Sequence, residues 1–362
     1  MAKISINGFG RIGRAFLKLA IEKPELEIVA INDLGDLEAL AYLLRFDSVY
    51  GKYDKEVTTL EEGENKFLIV GPPSHKASEG SAKKILFLAE KDPLKLPWAN
   101  LGIDIVVEAT GAFESYEKAS VHKQTGAKRV VLTAPAKDED TDDAKTVLLG
   151  INEEEFKSCT MTSNASCTTN SAAPVMQILL EKIGVKKAFL STAHAMTATQ
   201  MLIDGPTFAK ASAGKPAKES DLRRGRSAAI NITPSTTGAA IAVTRAVRQL
   251  AGKFDGVSLR VPVIDGSISV ITFISERTTS VEEINDILME AEKDPRWQGI
   301  LKTTTDQIVS TDIIGEAHAA VVDLSLTKVV DGDLCTVFSW YDNEFGYTNT
   351  LVEHVIKIAK LI

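Results

Sequence analysis

Between Ser163 and Asn170 the chain reads Ser-Asn-Ala-Ser-Cys-Thr-Thr-Asn, a single cysteine set among hydroxyl and amide side chains. An apolar pattern at helical spacing follows at once: Val175, Ile178, Leu179 and Ile183 recur on one face, and Gly184 stands where a C-terminal glycine cap falls. The spacing puts Cys167 at or just before a helix N-terminus. The partial positive charge there favours a thiolate, which is the nucleophilic form, and holds a thiol below its ordinary pKa of about 8.5. A free cysteine also suits a small buried apolar position, but the polar neighbours of Cys167 argue against a plain core site. Downstream, the strand pattern Ala188-Phe189-Leu190-Ser191-Thr192-Ala193 ends at His194. An imidazole can deprotonate a thiol and later act as general acid, or be an ordinary structural histidine. Arg260, inside Ser258-Leu259-Arg260-Val261-Pro262, is a strand-interior guanidinium that needs an anionic partner or a solvated pocket. Arg223, Arg224, Arg226, Arg245 and Arg248 read either as an anion site or as a solvated face.

The elements that must position these residues begin at the other end of the chain. Ile4-Ser5-Ile6 reads as a strand, followed by Asn7-Gly8-Phe9-Gly10-Arg11-Ile12-Gly13-Arg14 and a helical pattern of Ile12, Phe16, Leu19 and Ala20. This is G-x-G-x-x-G between strand and helix. Gly8 allows the tight turn, Gly10 lets backbone approach a pyrophosphate, and Gly13 lets the helix pack close to the strand. A second strand, Ile28 to Ile31, ends at Asn32-Asp33, where a dinucleotide fold places an acid on the adenosine ribose hydroxyls. The same carboxylate repels a 2′-phosphate, so NAD is favoured over NADP. Strand patterns at Ile103 to Val107 and Arg129 to Leu132 extend the sheet and end in Thr110 and Thr133, positions that also suit simple turn chemistry.

In the second half, strand patterns at Val257 to Ile264, Ile268 to Glu276 and Leu334 to Trp340 are rich in β-branched and aromatic residues. Ser280-x-x-Glu283 is a capping-box pattern opening a helix with Val281, Ile284, Ile287, Leu288 and Ala291 on one face. The segments Lys137 to Lys145 and Thr207 to Ser220 read as loops. The fold class is α/β: a Rossmann-type NAD-binding domain followed by a second, α+β catalytic domain on a mixed, largely antiparallel sheet.

With 362 residues the chain is long enough for two domains. Its formal net charge of −8 argues against general nucleic-acid affinity but leaves room for a local cationic pocket. Three cysteines, Cys159, Cys167 and Cys335, do not make a disulfide framework, and the five histidines are not spaced with them as zinc ligands are. No secretory h-region follows Met1-Ala2-Lys3-Ile4 and no apolar run reaches membrane-spanning length, so a cytoplasmic location without a membrane partner is expected.

In order along the chain, the motif from Asn7 to Arg14, Ser163 to Asn170, and His194-Ala195-Met196-Thr197-Ala198-Thr199-Gln200 resemble phosphorylating glyceraldehyde-3-phosphate dehydrogenases. Asp221-Leu222-Arg223-Arg224, Leu259-Arg260-Val261-Pro262 and Trp340-Tyr341-Asp342-Asn343-Glu344-Phe345-Gly346-Tyr347 extend the resemblance along nearly the whole chain. It implies Cys167 as nucleophile and His194 as the base that activates it. It implies cofactor contacts at Arg11, Ile12, Asp33, Lys91, Thr133 and Asn343, beside Gly8, Gly10 and Gly13. Asn343 resembles the asparagine that holds the nicotinamide amide. Ser166, Thr168, Thr197, Thr237, Gly238 and Arg260 resemble the sites for substrate phosphate and inorganic phosphate. The implied activity is NAD-dependent oxidation of D-glyceraldehyde 3-phosphate with inorganic phosphate to 1,3-bisphosphoglycerate, through a hemithioacetal and a thioester. The family forms homotetramers. The implied domains are 1–165, completed by a C-terminal helix at 344–362, and 166–343.

The chain departs from the family pattern at three places. Tyr50 stands where many relatives carry histidine, Ser171 replaces a common second cysteine, and Thr207 to Ser220 is a longer link than usual after Gly205-Pro206. Ser171 implies that Cys167 has no near thiol for an internal disulfide. Asp33-Leu34 and Pro206 resemble the NAD-preferring members. Two other readings compete: erythrose-4-phosphate dehydrogenase, which shares the cysteine motif but differs after the histidine, and a non-catalytic NAD-binding redox sensor, which a reactive thiol would suit.

Overall fold

The Ala2–Asn7 strand is buried at all but Lys3, the pattern of a parallel strand covered on both faces. A computed structural model describes residues 1–73, 82–205 and 222–362 of the chain. Pro206, the predicted loop Thr207 to Ser220, and Asp221 lie outside the described residues. The described chain forms two compact units. One comprises 1–147, 154–164 and 351–362, and the other 148–153 and 165–350.

Among the described residues, the first unit carries a nine-stranded sheet. Its strand order is Ala144–Thr146, Met161–Ser163, Arg129–Leu132, Ile105–Glu108, Ala2–Asn7, Leu26–Asn32, Lys83–Leu88, Asn65–Pro73, Lys55–Glu62. Pairing is parallel from Ala144–Thr146 to Lys83–Leu88 and antiparallel for the last two pairs. The antiparallel extension was not anticipated from the sequence. The Arg11–Ala20 helix follows the first strand and buries Gly13, Arg14, Phe16, Leu17 and Ala20. The core face thus includes Leu17, one residue beyond the predicted stripe.

The second unit is built on an eight-stranded sheet among the described residues. Thr233–Thr236, Phe254–Arg260, Val185–His194, Ser267–Ser275, Leu334–Tyr341, Ala320–Asp323 and Leu301–Thr304 follow in that order, with Lys328–Val330 on the Leu334–Tyr341 strand. Val185–His194 pairs in parallel with Phe254–Arg260 and antiparallel with Ser267–Ser275, so the sheet is mixed and largely antiparallel, as expected. Strict alternation of buried and half-buried positions along Ser267–Ser275 marks one face turned to the core. The Cys167–Ile183 helix lies on that core face, and every residue from Thr168 to Leu179 is buried. The strand predicted from Val257 to Ile264 instead ends at Arg260, before Pro262, which has no N–H to give a ladder. The Val281–Glu292 helix buries Ile284, Ile287, Leu288 and Ala291. Only half of the predicted capping box forms: Ser280 Oγ accepts from Glu283 N at 3.2 Å, while the Glu283 carboxylate accepts from Arg277 and Thr279. The C-terminal helix runs Phe345–Ala359, inside the 344–362 expected for it.

Candidate active site

Cys167 is the first residue of its helix. Ser166 is the N-cap, its Oγ accepting from Thr169 N at 3.1 Å. Ala165 has a φ of 53°, a left-handed conformation that costs an alanine about 1–2 kcal/mol. Its carbonyl accepts from the Tyr347 hydroxyl at 3.2 Å, which braces the turn delivering the sulfur. Cys167, Cys159 and Cys335 are all free thiols. Ser171, one turn into the helix, is fully buried with its hydroxyl 3.0 Å from Ser339 Oγ.

His194 ends its strand, and its Nε2 lies 3.4 Å from Cys167 Sγ. In the parallel ladder His194 is paired with Arg260. That register brings the Arg260 guanidinium to His194 Nδ1, which also lies 2.8 Å from the Ala195 carbonyl oxygen. A guanidinium only donates. With Arg260 on Nδ1, the ring proton sits on Nε2 and faces the sulfur. With Nδ1–H donated to Ala195, the Nε2 lone pair faces the sulfur and can take a proton. Burial and the Arg260 charge depress the His194 pKa to about 3, so the ring is neutral at ordinary pH.

The thiol departs from the sequence expectation. Burial pushes the Cys167 pKa up, and this outweighs the Arg260 charge and the Thr168 N–H, which pull it down. The resting sulfur is therefore a thiol, and its proton must leave through a base.

Sequence reasoning missed the shell around this pair. Tyr341, buried, has its hydroxyl 2.8 Å from Thr168 Oγ1 and its ring edge-on to His194 at 6.0 Å between centroids. Burial raises its pKa, which keeps it neutral. Tyr341 was visible as part of a motif, but its partner depends on the helix meeting the strand end. Asn343 is nearly buried, and its Oδ1 accepts from Ser267 Oγ at 2.6 Å. Nothing in the sequence singled out Ser267.

Of the predicted phosphate residues, the structure gathers Arg260, Ser166 and Thr168 around the Cys167–His194 pair. Arg224 also acts electrostatically on Arg260. The Thr168 hydroxyl is turned to Tyr341 and that of Ser166 to Thr169, at 2.8 Å in each case. Thr197 lies past the His194 strand, with Oγ1 3.0 Å from Thr199 Oγ1. Thr237 Oγ1 accepts from Ala239 N at 3.1 Å, and Gly238 begins the Ala239–Ala246 helix. Neither threonine hydrogen-bonds to Cys167 or His194.

The predicted cofactor residues other than Asn343 all lie in the first unit. Gly8 has a φ of +98°. A methyl at Gly13 would collide with the Gly8 carbonyl, whereas a methyl at Gly10 would project into open space. The Arg11–Ala20 helix starts with no side-chain cap and no acidic residue in its first turn, leaving its amide end suited to an anion. Ile12 is half-buried in that turn. Asp33 accepts from Phe9 N at 2.6 Å and Gly35 N at 2.8 Å, so its carboxylate is fixed beside the glycine loop with lone pairs to spare for hydroxyl donors. Glycine cradle, open helix end and anchored acid fit a dinucleotide. Arg11 is paired with Asp47 at 3.2 Å and stacked over Tyr50 at 5.8 Å, which gives that departure from the family pattern a local role. Lys91 is exposed in a segment that Asn32 ties down through both Glu90 N and Glu90 O. Thr133 donates from Oγ1 to the Glu108 carbonyl at 3.0 Å.

Residues 2–116 match the family model described as glyceraldehyde 3-phosphate dehydrogenase, NAD binding domain, and residues 166–343 the one described as glyceraldehyde 3-phosphate dehydrogenase, C-terminal domain. The chain is 44% identical over 364 residues to a glyceraldehyde-3-phosphate dehydrogenase of Thermotoga maritima, covering 100% of both. It is 42% identical over 365 residues to that of Clostridium acetobutylicum, covering 100% of this chain and 99% of the relative. With that of Borreliella burgdorferi it shares 42% over 368 residues, 99% of this chain and 100% of the relative.

Proposed function

The chain belongs to the glyceraldehyde-3-phosphate dehydrogenase family, and on that premise we propose how its own residues carry the reaction. It is an NAD-dependent oxidoreductase acting on an aldehyde group, oxidising D-glyceraldehyde 3-phosphate with inorganic phosphate to 1,3-bisphosphoglycerate. The observation that carries the residue assignment is the 3.4 Å approach of His194 Nε2 to a sulfur at the start of a buried helix.

His194 Nε2 accepts the thiol proton as Cys167 Sγ adds to the aldehyde carbon, and the carbonyl oxygen is protonated to give a hemithioacetal. The Cys167 backbone N–H and the imidazole stabilise the developing oxyanion. NAD, when bound, supplies the hydride acceptor. His194 takes the hemithioacetal hydroxyl proton as the C–H bond gives up its hydride, leaving a thioester on Sγ. A phosphate oxygen then attacks the thioester carbonyl, the C–S bond breaks, and the sulfur recovers its proton from His194. Arg260, with Thr197, Thr237, Gly238, Ser166 and Thr168, provides for substrate phosphate and inorganic phosphate. An anion that draws Arg260 off Nδ1 leaves that nitrogen to donate to Ala195, the arrangement in which Nε2 is a base.

In the first unit, Gly8, Gly10, Gly13, Arg11 and Ile12 hold the pyrophosphate end of NAD, Asp33 the adenosine ribose, and Lys91 and Thr133 flank them. Asn343 holds the nicotinamide amide. By the family pattern we take the domains as 1–165 with 344–362, and 166–343; the compact units differ in assigning 148–153, 165 and 344–350 to the second. The chain works as a homotetramer in the cytoplasm. Exposed Phe189, Val257 and Leu259 on the outer face of the second sheet supply apolar surface for assembly. No helix among the described residues is long and apolar enough to cross a membrane.

Phosphate-dependent NADH formation tests the assignment. Cys167→Ser loses about 10⁴-fold in kcat or more. Phosphate-dependent turnover within tenfold of wild type in that variant would refute it.

A further inference from the structure

The Ala195 peptide, next to the catalytic histidine, is clamped on both sides. Its carbonyl faces His194 Nδ1 and Arg260, and its N–H donates to Ser267 Oγ at 3.0 Å. Ser267 opens its strand opposite Tyr341 in the antiparallel ladder, and its hydroxyl reaches Asn343, just past the Tyr341 strand end. Ser267 and Ala195 are 1% and 0% exposed, so water does not replace these bonds.

Donor and acceptor bookkeeping then fixes the Asn343 amide. Ala195 N–H can only donate, so it occupies one lone pair of Ser267 Oγ; Tyr341, which also reaches this hydroxyl and keeps its own proton, fills the other, and the single Ser267 hydroxyl proton is given to Asn343, 2.6 Å away. The Asn343 atom that receives it must be Oδ1. The backbone is held independently, because the Asp342 carboxylate accepts from Glu344 N, Phe345 N and Gly315 N. Asn343 Nδ2 has no protein partner among the described residues and is not among the buried polar atoms left unsatisfied, so its donors stay accessible.

We propose that Ser267 is a positioning residue for the cofactor. It locks the flip of the Asn343 carboxamide so that Nδ2 is presented outward, and the site selects a ring substituent that offers a carbonyl acceptor. This rests on the reading of Asn343 as the residue that holds the nicotinamide amide. With Ser267 in place, an acceptor-only substituent is as good a partner as a carboxamide. Without it, Asn343 turns freely. A carboxamide can answer either orientation by rotating, and an acetyl group can answer only one.

The test is equilibrium binding, by calorimetry on the full chain, of NAD and of 3-acetylpyridine adenine dinucleotide, whose ring carries a carbonyl but no amide N–H. Ser267→Ala weakens the acetyl analogue about fivefold more than NAD. Ser267→Thr, which keeps the hydroxyl, restores the wild-type ratio. Ser267→Cys, near-isosteric with a weak donor, shifts the ratio in the same direction as alanine and serves if the alanine variant folds poorly. An unchanged ratio in the alanine and cysteine variants, or an equal shift in the threonine variant, overturns the proposal. Asn343→Ala separates it from its premise. Weakening of both ligands in that variant, with no ratio change on loss of Ser267, defeats the proposal alone. No effect of Asn343→Ala on either ligand defeats the premise and the proposal together.

Discussion

A thiol at the first turn of a buried helix meets opposing demands: burial keeps its proton on, and catalysis needs the proton off. In this chain the resolution is local. Arg260 and the Thr168 N–H lower the cost of a negative sulfur, and a neutral imidazole stands 3.4 Å away to receive the proton. Removing the base exposes the burial effect. His194→Asn slows iodoacetamide alkylation of Cys167 at pH 7 by about tenfold or more and lowers kcat by about 10²–10⁴-fold. Alkylation at the wild-type rate would show that the sulfur is activated without the imidazole. Cys167 and His194 stand out in the sequence because their neighbours are distinctive, but only the fold sets them 3.4 Å apart. Ser267 and the inward hydroxyl of Thr168 were not, because their roles come from ladder register and helix packing, which no local pattern encodes. The direction of the Cys167 shift was misjudged for the same reason: the helix terminus is visible in the sequence, and the depth of burial is not.

At the scale of elements, the glycine loop is a packing device as much as a ligand cradle. A methyl at Gly13 has no room against the Gly8 carbonyl, so Gly13→Ala must push the Arg11–Ala20 helix away from the Ala2–Asn7 strand. We expect a loss of about 1–3 kcal/mol in stability and a weaker Kd for NAD, measured by denaturant titration and calorimetry. Gly10→Ala, in open space, leaves stability within about 0.5 kcal/mol while still affecting NAD. Equal destabilisation by both would contradict the packing argument. Behind this loop, Asn7, His122 and the Thr110 N–H all converge on the buried Glu108 carboxylate, at 2.6, 3.0 and 2.8 Å. Trp98 Nε1 donates to His122 Nδ1 at 3.1 Å, which leaves His122 its proton on Nε2, toward Glu108. The strand carrying Glu108 was legible as an apolar run, but the network was not, since Asn7, Trp98, Glu108 with Thr110, and His122 come from four separate segments. Strands in the antiparallel extension were missed because Lys55–Glu62 is mostly exposed and lacks the apolar alternation that reveals a half-buried strand.

At the scale of the whole molecule, each unit hides a histidine that burial holds neutral. Burial depresses His194 in the second unit and His354 in the first to a pKa of about 3. The unfolded chain takes up these protons near pH 6.5, so between that value and about 3 it binds more protons than the fold. Stability is complete above about pH 6.5 and falls as pH drops, by up to about 1.4 kcal/mol per pH unit for each histidine. His354→Gln removes one such proton and flattens the acid limb of the unfolding midpoint against pH. An unchanged limb would mean that this histidine does not titrate on unfolding. The division into a dinucleotide half and a second half on a mixed sheet was legible from the change in strand pattern, because each half repeats its own spacing many times. The proposed reaction turns on an acyl group carried by one sulfur, and that intermediate can be caught. With NAD and D-glyceraldehyde 3-phosphate but no phosphate, acid-quenched wild-type protein should carry the acyl adduct on the Cys167 peptide by mass spectrometry, and added phosphate should discharge it. An adduct on Cys159 or Cys335, or a Cys167 peptide that stays unmodified while NADH forms, would contradict the account.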